Sequence, residues 1–201
     1  MAKVIIDMSV SLDGFIAGPA DTPDQPIGGR NAQRLHDWLL AGSELYEGST
    51  FLRPPGRNRQ LVDAMFRTTG ALLTGRRTYD LANGWNGSHP ISGLPVVVLT
   101  HVPPTEAPKG RSPFTFCSGL QEAVDAARAQ AKDKDVMVHG ASTTQQLLAT
   151  RLADELWLHV APLLLGDGRR LFERGADDLP LEMIETVVTP QAVHTRYRVR
   201  Q

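Results

Sequence analysis

The sequence predicts a single α/β domain with a mostly parallel central sheet, helices on both faces and an antiparallel hairpin at the C-terminal edge. Three observations lead to this prediction. Short apolar segments of strand length alternate with segments of helical spacing over most of the 201 residues. Two longer strand-like segments flank a turn at the end of the chain. No repeat, low-complexity tract or linker interrupts this order, so we treat residues 1–201 as one domain.

The predicted strands of the parallel part are short apolar runs bounded by glycine, proline or polar residues. In chain order they are residues 4–10, 71–74, 94–100, 136–138 and 156–165. The third and fourth contain uninterrupted apolar runs, which are typical of strands buried on both faces.

The predicted helices carry apolar positions at helical spacing. They are residues 31–40 and 58–66, a helix opening near Arg76, one opening at Ser118 and one following Gly140. Ser118 and Gln121 have the spacing of a capping box, in which each side chain bonds the other residue's backbone.

The last two segments, residues 181–189 and 192–200, flank a Thr-Pro-Gln turn and predict an antiparallel hairpin. In the second segment, Val193 begins the apolar side of the alternation, whereas His194 and Arg196 belong to the other side. We expect that other side to face water.

Two stretches rich in glycine and proline, residues 14–56 and 90–113, predict long loops. Long loops within a compact domain are commonly functional. The first leaves strand 4–10 through Asp13 and Gly14, which suits a mobile lid beside a site at the strand ends.

The charge balance argues against nucleic acid as a partner. Lysine and arginine number 21 and aspartate and glutamate 22, for a formal charge of −1, so no basic excess is available for a phosphate backbone. No apolar stretch reaches the 18 residues of a membrane span. Cys117 is the only cysteine, which excludes a disulfide framework, favours a cytoplasmic protein and predicts a core position for that side chain.

The sequence also lacks the signatures of several common sites. The six histidines show no i, i+4 pair with an acid between them, so we expect no metal. The Gly-x-Gly-x-x-Gly and Walker A motifs are absent, as is the Gly-x-Ser-x-Gly elbow of serine hydrolases.

Residues 74–79 carry the strongest local signal for a ligand. The predicted strand runs into Gly75, which allows a ligand to approach the backbone closely. Arg76 and Arg77 follow at the start of a helix, where cations are unfavourable unless an anion joins them. The segment indicates a turn that binds a pyrophosphate or a ribose 2′-phosphate, and an exposed arginine pair is the alternative.

Residues 138–144 repeat this strand–turn–helix arrangement with small side chains. Gly140 and Ala141 would let a ligand touch the backbone, and Ser142 or Thr143 can cap the following helix. An ordinary β-to-α turn is the alternative. His139 is either a polar contact for a substrate or a histidine satisfied within the turn.

Asp7 is the charged residue within the first predicted strand. By alternation it shares a face with Ile5 and Ser9, while Ile6 and Met8 face the other way. A carboxylate in a central strand must be paired or line a pocket. Both an ion pair with an arginine and a role in a site remain open.

In their order along the chain, these segments resemble the dihydrofolate reductase superfamily. The closer resemblance is to the branch similar to the reductase domain of the bifunctional riboflavin-pathway deaminase-reductase. The matching segments cover nearly the whole chain: Ser-Leu-Asp-Gly-Phe-Ile-Ala at 11–17, Gly-Arg-Arg-Thr-Tyr at 75–79, Val-Val-Val-Leu-Thr-His at 96–101, the turn at 139–141, Asp-Glu-Leu at 154–156 and the run 162–172. Each is weak alone, but their order and spacing are specific.

The resemblance implies a three-layer dihydrofolate reductase-like fold and an NADPH-dependent reductase of a small heterocyclic substrate, similar to 5-amino-6-(5-phosphoribosylamino)uracil reductase. We further expect a homodimer. The alternatives are pterin reduction of the dihydrofolate reductase type and a module that binds a nucleotide without turnover. The zinc motif of the deaminase half is absent.

By position, the resemblance assigns NADPH contacts to four segments. They are Ile16 and Ala17 over the nicotinamide; Gly75, Arg76, Arg77 and Thr78 at the pyrophosphate and 2′-phosphate; Leu99, Thr100 and His101 at the adenosine end; and Gly140, Ala141, Ser142 and Thr143 along the pyrophosphate and nicotinamide. The family's paired glycines at the last turn are here His139 and Gly140.

Two acids are candidates for the proton donor. Asp37 lies in the predicted helix after the lid, where dihydrofolate reductases carry their acid, and Asp7 occupies a pterin-facing position in that fold. The insertion 19–56 is expected to reshape the substrate pocket, so neither folate nor the riboflavin intermediate can be assumed.

Overall fold

Ten strands form two sheets in the parts of the chain that the structure, a computed structural model, describes: residues 2–29, 31–91, 93–173 and 178–200. The strands are β1 (Val4–Ser11), β2 (Phe15–Ala17), β3 (Thr69–Gly75), β4 (Val96–Leu99), β5 (Phe114–Cys117), β6 (Asp135–His139), β7 (Glu155–Ala161), β8 (Arg169–Arg170), β9 (Leu181–Val188) and β10 (Val193–Val199). The large sheet has the order β5-β4-β3-β6-β1-β7-β10-β9, and β2 pairs with β8.

The large sheet is parallel from β5 to β7, and β10 runs antiparallel to both β7 and β9. This confirms the predicted parallel sheet with a C-terminal antiparallel hairpin. Because parallel strands end at the same edge, the turns after β3, β4 and β6 lie side by side.

Helices cover both faces of the sheet, as predicted. They are α1 (Asp37–Leu40), which follows a 3₁₀ turn (Ala32–His36), α2 (Asn58–Thr68), α3 (Arg76–Leu81), α4 (Leu120–Ala131) and α5 (Ala141–Ala149). One core joins α4 and α5 to Ile6 and Val138, and a second core joins α1, α2 and α3 to Leu72 and Met137. No helix in the described ranges has the length and apolar character that a membrane crossing requires.

Several predicted element bounds were wrong. The strand predicted over 156–165 ends at Ala161, because Pro162 has no N–H to donate to the ladder. The helix predicted over 31–40 is divided into the 3₁₀ turn and α1. Helix α4 has Gly119 rather than Ser118 as its N-cap. The backbone N–H of Gly119 donates to Oε2 of Glu122 at 3.4 Å, so Glu122 takes the place predicted for Gln121.

The water-facing side predicted for the hairpin was wrong at its start. His194 is 1% exposed, whereas Val193 is 38% exposed. The second core extends over this part of β10, so the face that carries His194 is covered by Trp38. Cys117 is buried, as expected of a core cysteine.

The Glu155 carboxylate joins the N-terminal segment to the terminal hairpin. It is buried, with Nζ of Lys3 2.7 Å from Oε1 and Nη2 of Arg196 2.5 Å from Oε2. Burial alone would raise the pKa of Glu155, but these two cations lower it below its ordinary value. The ionised form therefore stabilises the fold at neutral pH.

We expect Glu155→Gln to lower the free energy of unfolding at pH 7 by about 1.5–3 kcal/mol, the range for charged hydrogen bonds. A carboxylate with a lowered folded-state pKa contributes fully above its unfolded pKa and loses that contribution as pH falls through the folded value. Urea unfolding should therefore show the two proteins converging in acid. Glu182→Gln, which removes an exposed partner of Arg198, is the control and should change stability by under about 1 kcal/mol; equal losses would contradict the assignment.

Candidate functional site

A cavity of about 920 Å³ opens at the carboxyl ends of the parallel strands. Ligands bind at this edge in open α/β sheets. Asp7 lines the cavity. So do all the residues that the resemblance assigns to the cofactor: Ile16, Ala17, Gly75, Arg76, Arg77, Thr78, Leu99, Thr100, His101, Gly140, Ala141, Ser142 and Thr143.

Two glycines and two threonines form a narrow cradle in this cavity. Gly140 has a φ of +99°, and a Cβ there would lie 2.7 Å from Oγ1 of Thr78, so a side chain would strain the backbone and clash. A Cβ at Gly75 would lie 3.0 Å from Oγ1 of Thr143. That hydroxyl is buried and has no hydrogen-bond partner among the described residues. The cradle therefore offers bare backbone and an unsatisfied hydroxyl to a ligand.

Arg76 stands beside the cradle and is held by contacts within the protein. Its Nε lies 2.8 Å from Oδ1 of Asp80, and its guanidinium also donates to the carbonyl of Val102. The side chains of Arg76 and Asp80 are 36% and 47% exposed, so their ion pair is weak and a ligand can displace it.

Arg77 is paired with the loop that covers the cavity. Its Nη2 and Nε donate to the two carboxylate oxygens of Asp21 at 2.6 and 3.0 Å, and Arg169 approaches the same carboxylate at 3.5 Å. Asp21 has a side chain only 7% exposed. Its burial opposes ionisation, but the two arginines outweigh burial and lower its pKa. In this structure the Asp21 carboxylate thus occupies the guanidinium fork of Arg77.

The base of the covering loop is fixed by Asp13. Its carboxylate accepts the hydroxyl of Ser11 at 2.6 Å and the backbone N–H groups of Leu165 and Gly166 at 3.1 and 2.7 Å. The Ser11 bond and these two backbone bonds lower the pKa of Asp13 to about 2. Asp13 therefore ties the start of the loop to the segment that follows β7.

Asp7 lies on the cavity wall with histidine neighbours. The carboxylate is buried, and its Oδ1 lies 3.3 Å from Nε2 of His159 and 3.9 Å from Nε2 of His139. Burial alone would raise the pKa of Asp7, but the adjacent His159 outweighs burial and lowers it below its ordinary value. Of the alternatives left open by the sequence, the structure shows Asp7 at a cavity wall with histidine neighbours.

The histidines around Asp7 differ from those of a metal centre. Among the described residues, no three histidine, cysteine, aspartate or glutamate side chains are grouped to hold a metal ion. His36 lines the same part of the cavity, and burial lowers its pKa to about 4. Burial likewise lowers the pKa of His139. Both rings are therefore neutral near pH 7.

Apolar and aromatic side chains also line the cavity. They are Trp38, Leu39, Phe51, Met65, Leu81 and Trp85, of which all but Phe51 and Leu81 belong to the second core. Trp38 stacks on His159 with ring centroids 4.0 Å apart, and its Nε1 donates to Oγ of Ser9 at 2.8 Å. In the described part of the cavity, the lysine and arginine side chains are Arg76, Arg77 and Arg169, all on the cradle side.

The structure does not bring Asp37, the second candidate acid, to this cavity. Its side chain is 42% exposed and lies 3.8 Å from Arg34. Its neighbours His36 and Trp38 line the cavity instead, because the 3₁₀ turn and the short α1 direct them inward. Asp7 is therefore the carboxylate that we carry forward.

The fold and the position of the cavity define the dihydrofolate reductase-like class. A dihydrofolate reductase from Enterococcus faecalis, solved as a complex with NADP(H), aligns with a TM-score of 0.58 and 15% identity over 99% of this chain and 97% of that one. Within this class, the chain belongs to the RibD C-terminal domain family, whose model matches residues 2–195.

Solved structures show the same fold at low sequence identity. A protein from Shewanella sp. PV-4 named for riboflavin biosynthesis aligns with a TM-score of 0.69 and 23% identity, with both chains fully covered. A diaminohydroxyphosphoribosylaminopyrimidine deaminase/5-amino-6-(5-phosphoribosylamino)uracil reductase from Thermotoga maritima gives a TM-score of 0.63 and 13% identity. This chain is covered over 99% of its length but spans 57% of that protein. No curated protein matches the sequence significantly.

Sequence reasoning missed the side chains that contact Asp7 from other elements. His159 and His194 were weighed as metal ligands only, and Trp38 was not considered. A usable signal was present, because His159 is a polar residue within an apolar strand, as Asp7 is. Asp21 was missed as well, since a glycine- and proline-rich loop gives no indication of what its side chains contact.

We expect Asp21→Asn to strengthen binding of NADPH about twofold to fivefold, because a neutral amide no longer competes with a phosphate for Arg77. Isothermal titration calorimetry of both proteins at one ionic strength measures the change. Asp24→Asn, in the same loop and exposed, is the control and should bind as the unchanged protein does. Weaker binding by Asp21→Asn would show instead that Asp21 holds the loop in its cofactor-binding form.

Proposed function

We propose that the chain is an NADPH-dependent reductase of a small planar heterocycle, with the reaction type of 5-amino-6-(5-phosphoribosylamino)uracil reductase. Membership of the RibD C-terminal domain family supports a reductase. The observation that carries the proposal is the cradle of Gly75, Gly140 and the unsatisfied Thr143 hydroxyl, with two arginines beside it.

The residues of the cradle fit a dinucleotide phosphate. Bare backbone at Gly75 and Gly140 allows close approach, and Thr143 supplies a donor that has no partner in the described structure. Arg76 and Arg77 would hold the pyrophosphate and 2′-phosphate, with Thr100 and His101 beside the adenosine end. Ile16 and Ala17 would cover the nicotinamide, which when bound supplies a hydride.

The far wall of the cavity supports a planar, uncharged group as the part of the substrate that is reduced. Trp38 and Trp85 offer aromatic faces, and no lysine or arginine of the described residues lines this wall. Asp7 is the carboxylate on this side, and a proton held between Asp7 and His159 would pass to a ring nitrogen of the substrate. The rate of reduction should therefore be compared between phosphoribosyl-bearing pyrimidines or dihydropterins and their uncharged counterparts.

Calorimetric titration with NADPH and NADH tests the cofactor. We expect micromolar binding of NADPH, at least about tenfold tighter than NADH, because a 2′-phosphate adds charged hydrogen bonds. Arg77→Ala should weaken NADPH by about 10- to 150-fold and leave NADH nearly unchanged. Arg198→Ala, on the terminal hairpin, is the control.

Each other outcome of this titration has a definite meaning. Equal weakening of the two cofactors would show that Arg77 does not read the 2′-phosphate. Binding of neither cofactor would overturn the reductase proposal. NADPH binding without oxidation across pterins and pyrimidines, phosphorylated or not, would favour a module that binds the nucleotide without turnover.

We also propose a homodimer formed through the edge strand β9. In the described structure β9 pairs on one side only, with β10, and it exposes Met183 by 61% and Val188 by 65%. An unprotected strand edge that carries apolar side chains favours pairing with a second chain.

Light scattering after size-exclusion chromatography tests the dimer. The unchanged protein should have twice the mass of one chain, and Met183→Lys should shift it to monomer, because the interface would then bury a charge. Leu164→Lys, at a residue 68% exposed elsewhere, is the control and should remain dimeric. A monomeric unchanged protein would contradict the proposal.

A further inference from the structure

A buried network of polar side chains connects Asp7 to the terminal hairpin. His159 and His194 are direct cross-strand partners on β7 and β10, and each is 1% exposed. Their Nδ1 atoms lie 2.7 Å apart. Nε2 of His194 lies 3.0 Å from Oδ1 of Asn58, a residue with no exposed surface, and 3.3 Å from Oγ1 of Thr189. Nothing in the cofactor-binding proposal accounts for this network of polar side chains.

The far end of this side-chain network determines which ring nitrogen of His194 is protonated. Asn58 donates its amide Nδ2 to Oε1 of Gln191 at 3.0 Å, so Oδ1 is the atom that faces His194. The hydroxyl of Thr189 donates to the carbonyl of Ala192 at 3.1 Å and accepts the N–H of Ala192 at 3.2 Å, which leaves one lone pair of Oγ1 for His194. Two acceptors therefore face Nε2 of His194, and this nitrogen must be the protonated one.

The tautomer of His194 then determines that of His159. Burial lowers the pKa of His194 to about 3, so the ring is neutral and its proton on Nε2 leaves Nδ1 bare. A bare Nδ1 at 2.7 Å accepts a hydrogen bond, so Nδ1 of His159 carries the donated proton. His159 in its neutral form consequently has a bare Nε2.

That bare nitrogen faces the carboxylate. Nε2 of His159 is buried, lies 3.3 Å from Oδ1 of Asp7 and has no hydrogen-bond partner of normal geometry in the described residues. A lone pair and an ionised carboxylate at this distance repel each other unless a proton lies between them. We propose that Asn58 and His194 set the tautomer of His159 so that His159 Nε2 and Asp7 Oδ1 together hold the one proton that is passed to the substrate.

This inference rests on the proposed reductase function for the fate of the proton. As the substrate carbon accepts a hydride from the bound nicotinamide, the N–H bond at His159 Nε2 breaks, Oδ1 of Asp7 relays the proton, and an N–H bond forms on the substrate, which is thereby reduced by two electrons. The Asp7–His159 pair is left one proton short, and it takes that proton from water after the product leaves. Asp7 is the catalytic residue, while His159, His194 and Asn58 are positioning residues.

Other titratable groups also face the pair. His139 on β6 lies 3.9 Å from Asp7 Oδ1, and His36 approaches from the 3₁₀ turn before α1. Trp38 stacks on His159 from α1, and Trp157 contacts it on β7 at 5.3 Å between ring centroids. Burial lowers the pKa of both His36 and His139, so near neutral pH their rings are uncharged and the titrating proton is left to the pair.

The test begins with histidine tautomers, which need neither cofactor nor substrate. Nitrogen-15 NMR of the full chain distinguishes protonated from bare ring nitrogens, and His159→Asn identifies the His159 signals. We expect the neutral ring of His159 to carry its proton on Nδ1. A His159 that carries its neutral-state proton on Nε2 would overturn the inference.

A matched pair of variants at Asn58 then tests the link to the reaction. Asn58→Gln keeps a neutral amide acceptor toward His194 Nε2 and should preserve the Nδ1–H tautomer of His159. Asn58→Leu has nearly the same shape but no acceptor, so we expect the tautomer of His159 to change. We then expect kcat to fall about 100-fold, which is the scale of general acid catalysis. The pH profile of kcat should change as well, while the affinity for NADPH should stay the same. Thr195→Val, a buried neighbour of His194 on the other face of β10, is the control.

The outcomes separate this inference from the proposed function. If the expected tautomers are observed but NADPH is not oxidised with any substrate, the reductase proposal is refuted, and with it the proposed use of the shared proton. Turnover with an unchanged pH profile and kcat in Asn58→Leu, despite a changed tautomer, would refute the positioning role alone. If Asn58→Leu does not fold, His194→Phe, which removes the acceptor that faces His159 Nδ1, supplies the same comparison, with His194→Gln, which keeps a side-chain acceptor, as its matched control.

Discussion

A carboxylate buried in the middle of a central strand is the constraint around which this end of the molecule is arranged. Asp7 cannot remain ionised there without nearby positive charge or donors, and cannot remain neutral without an acceptor for its proton. The structure meets this requirement with imidazole rings rather than with a lysine or arginine. An arginine would have fixed the charge permanently. Histidine rings, unlike an arginine, leave the charge of this cluster adjustable.

The two ends of the cavity consequently have opposite electrostatic character. The cradle end concentrates permanent charge, with Arg76, Arg77 and Arg169 near the acidic Asp21. The Asp7 end has groups whose charge depends on pH, and its wall is aromatic. A dinucleotide and a flat neutral ring would each find a matching surface, and the parallel sheet places both surfaces at the same edge because all its strands end there.

The sequence predicted those features of the fold and the site that are signalled by residues close together along the chain. The turns at Gly75 and Gly140 were found because strand end, glycine and helix start follow one another along the chain, and the structure places both in the cavity. The pairing of His159 with His194 could not be found in this way, since it depends on which strands are neighbours. The alternation in β10 correctly separated its two faces but did not show that the second core covers the face of His194. Asp21 lies in a loop, where no periodicity relates a side chain to its contacts.

The pairing of Arg77 with Asp21 has a consequence for the response of the site to salt. A free arginine that binds a phosphate releases loosely held ions from solution, so its affinity falls steeply as the ionic strength rises. Under the proposed function, Arg77 would exchange the Asp21 carboxylate for one anion of the ligand, and the number of close ion pairs that it makes would be the same before and after binding. The site would then act as an anion exchanger with a built-in counterion, and its occupancy would be buffered against changes in the surrounding electrolyte.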